Sequence, residues 1–335
     1  MGGFAERAKF SVYVWFSILY TALIYPVVGH WVWGGGWLAE LGMQDFAGST
    51  VVHLQGAIAA LIATILLKPR KGRYVNNETV SIPGHNQIYS IMGVFVLWIG
   101  WFGFNAGSTL GSLTGFFGYV ALTTNLAAAA GGIGALFLIW MINHHADLTT
   151  MINGVLAALV AITASCAFVE PWAAVVIGAL AGATSVGVAA YMERKGIDDP
   201  IYAISVHGVP GISGTLSTGI FAAPHLVAQV GIGQAGLLYG GGLSQLVVQA
   251  LGIAGTIIYV SIVSFILLYA LKKTIGLRVS PHTEERGLDT TEHGQNAYPE
   301  MVTISTEPQT ISGSYSKQNV GHKKTGYRTE VDPII

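Results

Sequence analysis

The chain of 335 residues is 52% hydrophobic and 10% charged, with a formal net charge of −1 at pH 7. Soluble domains carry about 25% charged residues, so this composition, with a mean hydropathy of +0.57, excludes a soluble globular protein and indicates an integral membrane one. A single cysteine, Cys166, excludes an internal disulfide and matches no metal or redox spacing; it reads as a small buried apolar residue.

Crossing a hydrocarbon layer of about 30 Å takes about 20 helical residues. Runs of that length lie near 10–29, 46–67, 86–105, 117–142, 151–169, 171–192, 201–223 and 237–271, and none contains Lys, Arg, Asp or Glu. The prediction is an all-α membrane protein of about eight transmembrane helices, joined by short loops with turn signals such as GGGW at 34–37 and Glu170–Pro171. The 44 glycines suit helices that pack backbone to backbone in lipid. The last run is too long for a perpendicular crossing, so it is expected to tilt strongly or to continue past the membrane.

Basic residues are retained on the cytoplasmic side. Arg7 and Lys9 precede the first run, Lys68, Arg70, Lys71 and Arg73 follow the second, Arg194 and Lys195 the sixth, Lys272 and Lys273 the eighth. All fall on one side of the predicted arrangement, the opposite loops hold no Lys or Arg, and both termini are therefore expected in the cytoplasm. MGGFAE lacks the core and cleavage site of a signal peptide, and Glu6 stands where a myristoylation signal requires Ser or Thr.

One pattern occurs twice. DFAGSTVVH (45–53) and DPIYAISVH (199–207) each place a histidine eight residues after an aspartate at the start of an apolar run, and the two runs are predicted to cross in opposite directions. At 1.5 Å per residue each histidine lies about 12 Å beyond its aspartate, so His53 and His207 both arrive near the midplane. A polar group repeated at the centre of oppositely directed halves marks a transporter or channel. Asp45 and Asp199 read as helix caps; the histidines read as functional, since ionisable groups at that depth are costly. Imidazole there serves a small polar solute or a proton relay. The rival chemistry, haem ligation between two histidines, ranks well below, because no Lys or Arg for the propionates occurs between Arg73 and Arg194.

The outer loops add a second group. GHWVWGGGW (29–37) places Trp31, Trp33 and Trp37 in the loop after the first helix, and WFGFNAGS (101–108) places Trp101, Phe104 and Ser108 at the outer end of the third. Such rings commonly form an interfacial belt, yet their faces also bind cations, worth about 0.5–2 kcal/mol, and a serine hydroxyl can accept an N–H beside them.

DFAGSTVVH, GWFGFNAGS (100–108), NGVLAALVAITA (153–164), DDP…SVHGVPGISG (198–214) and GLRVSPHTEERGLDTTEHGQNAY (276–298) resemble, in order, the signatures of the ammonium transporter family, the Amt/Mep/Rh group, in its Amt branch. The resemblance covers roughly residues 4–298 and implies a homotrimer with one pore per protomer. It implies His53 and His207 as paired pore histidines, Trp33 and Ser108 in an external ammonium recruitment site, Phe104 in a phenylalanine gate, Trp101 lining the pore, Thr163 near its mouth, and Asp45 close to the site. The implied mechanism is recruitment of NH4+, deprotonation, passage of NH3 with or without a separately carried proton, and reprotonation inside. The family typically has eleven helices, and MGGFAERAKF resembles its junction before the fourth, so about three N-terminal helices are expected to be missing, with the upper gate phenylalanine among them. IYAIS after Asp199 and Pro200 departs from the family's acidic DVF-like run, which bears on the inner vestibule.

The predicted organisation is a transmembrane domain over 1–273, a regulatory cytoplasmic segment over 274–298 and a disordered tail over 299–335. The resemblance implies that the middle segment faces a PII-type signalling protein. His144 and His145, in a loop, are a weak metal signal and read as solvated. No nucleotide-binding or phosphate-cradling motif stands at a plausible place; no enzyme activity, cofactor, metal or nucleic-acid partner is expected. The expected function is ammonium transport across the plasma membrane. The alternatives are an ammonium sensor with the same fold, a non-functional fragment, Rh-type gas conduction and, remotely, the haem protein.

Overall fold

The computed structural model describes residues 2–76, 78–111 and 115–295. The expected tail over 299–335 and the last residues of the 274–298 segment lie outside the described residues. Among the described residues, seven helical stretches are long and apolar enough to span a membrane: Phe10–Glu40, Ser49–Leu67, Gln87–Thr109, Gly115–Asn143, Leu148–Ser165, Pro171–Arg194 and Ser244–Thr274. The eighth expected span, 201–223, is helical over Ile204–Gly208 and Val209–Phe221 but is not among the seven. Its glycines, serines and threonines make it less apolar, and it is wedged against helices Leu148–Ser165 and Ser244–Thr274 rather than facing lipid along its length.

Close approach of backbones builds the middle of the bundle's sequence, from Gly115 to Arg194. Helices Gly115–Asn143, Leu148–Ser165 and Pro171–Arg194 pack tightly together, and a β-carbon at Gly182 or Gly178 would fall inside the van der Waals surface of the carbonyl oxygen of Gly131 or Ala127 on the facing helix. Small residues permit this where lipid supplies no hydrophobic drive between helices. The first span is interrupted: a π-helical turn occupies Tyr20–Ile24, and after Trp33 the chain breaks at Gly34–Gly36 and resumes as Trp37–Glu40. The final helix starts later than expected, because the loop containing Gly240 and Gly242, at φ 79° and 70°, precedes it; its 31 residues still exceed one perpendicular crossing.

The basic loops gather at one end. Arg7, buried among them, donates to the carbonyls of Lys68 (2.9 Å), Ala5 (3.0 Å) and Asp198 (2.8 Å). Arg278 donates to the carbonyls of Leu67 and Pro69 at 2.8 Å each, so two guanidinium groups cap the C-terminus of the Ser49–Leu67 helix, where the dipole favours cations. Asp198 accepts from Arg70 at 2.8, 2.9 and 3.0 Å, which ties the end of one histidine-bearing helix to the start of the other. At the opposite end Gln44, Gln245 and Gln249 bond to one another and to loop carbonyls.

Residues 277–286 are part of this framework. Leu277 O accepts Lys9 N–H, Val279 N–H donates to Arg7 O, and Glu284 pairs with Arg278 at 2.8 Å and accepts Lys71 N–H at 2.8 Å. Burial pushes the Glu284 carboxyl up, but Arg278 and the Lys71 amide outweigh it and hold the group below its ordinary value. A depressed folded value stabilises the segment above the unfolded value of about 4.3 and loses that stabilisation as pH falls through the folded one. The hydrogen-exchange protection factors of residues 277–286, taken relative to the intrinsic rate at each pH, are therefore expected to hold from neutral pH down to about 5 and to fall below about 4.

Candidate functional site

The site grows from two helix starts pointing at each other. Asp45 does not sit in the usual cap position; Gly48 does, at φ 117°, a conformation a side chain would strain. From three residues ahead, Asp45 Oδ1 accepts the N–H groups of Gly48 (3.0 Å) and Ser49 (2.7 Å), and Oδ2 those of Thr50 and Val51 (2.9 Å each). One buried carboxylate thus gathers four amides that would otherwise be orphaned at a helix start. The turn that follows, Ser49–Leu54, is π-helical and carries His53.

The second start repeats this plan in reverse direction. Asp199 Oδ2 accepts Ile204 N–H at 2.6 Å, and the π-helical turn Ile204–Gly208 carries His207. Pro210 follows in the second position of helix Val209–Phe221; it has no N–H to offer the carbonyl of Val206, which loosens the preceding turn. Both histidines therefore occupy π-helical turns, a geometry often found at functional sites and invisible in the eight-residue spacing.

His53 Nδ1 and His207 Nδ1 lie 3.3 Å apart, with ring centroids 5.2 Å apart and planes 15° from parallel. A hydrogen bond between two like nitrogens requires one to carry the proton and the other to be bare, so neutral rings take complementary tautomers. His53 Nε2 is buried without a partner among the described residues. Trp101 stacks against the His53 ring at 5.2 Å and 14°, and Phe104 stands 5.6 Å from both His53 and Trp101. Trp101 Nε1 donates at 3.0 Å to Thr163 Oγ1, which donates to Leu159 O at 2.7 Å.

His53, His207, Trp101, Phe104 and Thr163 are thus brought into one chain of contacts. Trp33 and Ser108 are not joined to each other by a hydrogen bond among the described residues. Trp33 Nε1 donates to Asp45 O at 2.7 Å, and Ser108 Oγ donates to Phe104 O at 2.7 Å. The placement of Trp31 and Trp33 in a loop is corrected: both belong to helix Tyr25–Trp33, and only Trp37 follows the glycine break. Trp31 packs on Trp37 and Tyr259, at 5.8 and 5.1 Å, rather than facing an external ligand.

Several contributors escaped sequence reasoning. The hydroxyls of Thr50 and Thr215 meet at 2.6 Å between the two histidine helices, and Ser49 bonds across to the Leu148–Ser165 helix. Arg7, Arg70 and Asp198 lay in polar flanks where charges are ordinarily solvated. The one usable signal was Gln245 and Gln249, a glutamine pair one turn apart in an apolar run, which marks an internal face.

Oppositely directed, pseudo-equivalent helices that present paired imidazoles inside a bundle of apolar spans define a multi-pass membrane transport protein. The model of the Ammonium Transporter Family matches residues 1–298, and the chain belongs to that family. It is 44% identical over 319 residues to the ammonium transporter Amt2 of Archaeoglobus fulgidus, covering 91% of this chain and 68% of that one. Against the ammonium transporter of Bacillus subtilis it is 40% identical over 302 residues, covering 90% and 72%. Among solved structures, a sensor Amt protein superposes with TM-score 0.81 at 39% identity over 87% of this chain and 72% of that one. Candida albicans Mep2 superposes with TM-score 0.76 at 28% identity, covering 83% and 62%.

Proposed function

We propose that this chain carries ammonium across a membrane along a path that passes the His53–His207 pair. The observation that carries the reading is the stack of Phe104, Trp101, His53 and His207, with the two imidazoles at 3.3 Å inside a member of the ammonium transporter family. The aromatic faces draw NH4+ toward the stack. The imidazole pair then offers a donor and an acceptor to ammonia once a proton has been given up. K+ and NH4+ are similar in size, but only ammonium becomes neutral by releasing a proton, and an uncharged solute avoids the cost of dehydration that excludes K+. Trp33, Ser108 and Thr163 belong to the approach, Asp45 and Asp199 hold the two helix starts, and the proton travels with the ammonia or separately.

The basic end, with Arg7, Arg70, Arg73 and Arg278, faces the cytoplasm on the positive-inside rule. On that assignment residues 280–295, none of them buried, face a PII-type regulatory protein, and the assembly is a homotrimer in a plasma membrane. The likeness to a sensor Amt protein favours one second reading, an ammonium sensor on the same fold.

Proteoliposomes containing the chain should give a current on an ammonium pulse and none on an equal potassium pulse. Absence of the ammonium current, with retained ammonium binding, would replace transport by the sensor reading; absence of both would sink the proposal.

A further inference from the structure

We propose that Ser49 is a positioning residue for the histidine pair, a role that rests on the reading of that pair as the ammonium path. Its hydroxyl donates to Val160 O at 2.7 Å and accepts the N–H of Ala164 at 2.7 Å, with Ala161 O a further 3.3 Å neighbour. Val160 O and Ala164 N–H are the carbonyl and amide that an α-helix pairs with each other. Ser49 therefore bridges one rung of the Leu148–Ser165 ladder with a side chain from another helix, an insertion of the kind that bends helices. Phe46 and Ala47, the two residues before Gly48, hold carbonyls of the helix's last turn: Phe46 N–H donates to Ala164 O at 3.1 Å and Ala47 N–H to Thr163 O at 3.0 Å.

The same turn is gripped from its other side by the indole of Trp101 through Thr163 Oγ1. Contacts close into a ring: Ser49 to Ala164 and its neighbour Thr163, Thr163 to Trp101, Trp101 flat on His53, and His53 back to Ser49 along one turn of its own helix. Ser49 is fully buried and its hydroxyl bonds to main-chain groups of the Leu148–Ser165 helix and to neither histidine, so its action on a solute is indirect. Its effect is to fix how far the Thr163 turn stands from the His53 helix. That distance sets where Trp101 lies on the His53 ring, and hence how His53 Nδ1 meets His207 Nδ1. Ser185, buried on helix Pro171–Arg194, bonds within its own helix to Gly182 O at 2.7 Å and takes no part in this ring; it serves as an internal control.

The test combines a spectrum with a current. The chain is labelled with 5-fluorotryptophan, and the Trp101 resonance among the eight tryptophans is assigned by its loss in Trp101→Phe. Ser49→Ala is expected to shift or broaden the Trp101 resonance and leave exposed Trp172 unmoved. Ammonium current should fall by about tenfold at an unchanged half-saturating concentration, since misplacement of a reacting group by a fraction of an ångström to 1 Å has effects of that order or larger. Ser49→Cys, with a weaker donor of similar volume, should fall between Ala and wild type, and Ser185→Ala should leave both the Trp101 resonance and the half-saturating concentration unaltered. An unmoved Trp101 resonance in both Ser49 variants overturns the proposal, as does a moved resonance with wild-type current. A wild-type chain without ammonium current would instead remove the transport reading, while the fluorine spectrum still decides whether Ser49 places Trp101.

Discussion

His53→Ala is expected to cut the ammonium current by about tenfold or more, equivalent to a barrier rise of roughly 1.4 kcal/mol or above, and to erode discrimination against potassium. His53 is the hub of the stack, with ring contacts to Trp101, Phe104 and His207 at 5.2, 5.6 and 5.2 Å. Alanine removes the donor–acceptor pair, frees one face of Trp101 and opens room for water beside the path. Water lowers the dehydration barrier on which rejection of potassium depends. His207→Ala removes the same pair but leaves His53 seated against Trp101 and Phe104, so its current should fall with less loss of selectivity. Paired ammonium and potassium pulses on the two variants in proteoliposomes measure both quantities. Equal, wild-type-like currents from both variants would refute a role for the imidazoles in conduction.

Arg70→Met is expected to destabilise the protein by about 3 kcal/mol, at the lower end of the cost of leaving a buried charge without its partner. The Asp198 side chain is 1% exposed, and Arg70 supplies two guanidinium contacts to it besides its main-chain N–H. Burial alone pushes the Asp198 carboxyl up; the bonds from Arg70 outweigh burial and keep it below its ordinary value. Arg73, at 3.6 Å, and the Arg70 amide remain in the variant and limit the loss. Arg70→Met combined with Asp198→Asn should recover most of it, because the stranded charge is gone. Thermal unfolding in detergent, read for the single and double variants, checks both statements. A single variant as stable as wild type, or a double variant worse than the single, would show that the pair does not hold the two histidine helices together.

Much of the architecture was legible in the chain. Lys, Arg, Asp and Glu are absent from each apolar run because lipid cannot solvate them, so spans read directly from composition, and seven of the eight expected spans are long and apolar enough. The exception, 201–223, shows where that logic stops: a helix that buries itself among others needs less apolar surface, and its length in the structure is Ile204–Phe221. The recurrence of Asp and His at one spacing also identified the two helices whose rings meet. It could not reveal that each histidine rides on a π-helical turn, since that turn depends on the four amides gathered by Asp45 and on the amide missing from Pro210.

Periodicity reports how each segment meets its solvent, and the solvent here is lipid, so the chain by itself determined the membrane class, seven of the spans and which two histidines meet. Contacts between segments far apart in sequence carry no such local imprint. The 3.3 Å imidazole pair, the bridge of Ser49 across Val160 and Ala164, the bond from the Trp33 indole to Asp45 O and the buried Arg70–Asp198 tie were decided only by tertiary structure. Each is a polar bond whose value depends on a partner that folding brings near and whose cost, without that partner, is the full desolvation of a buried group.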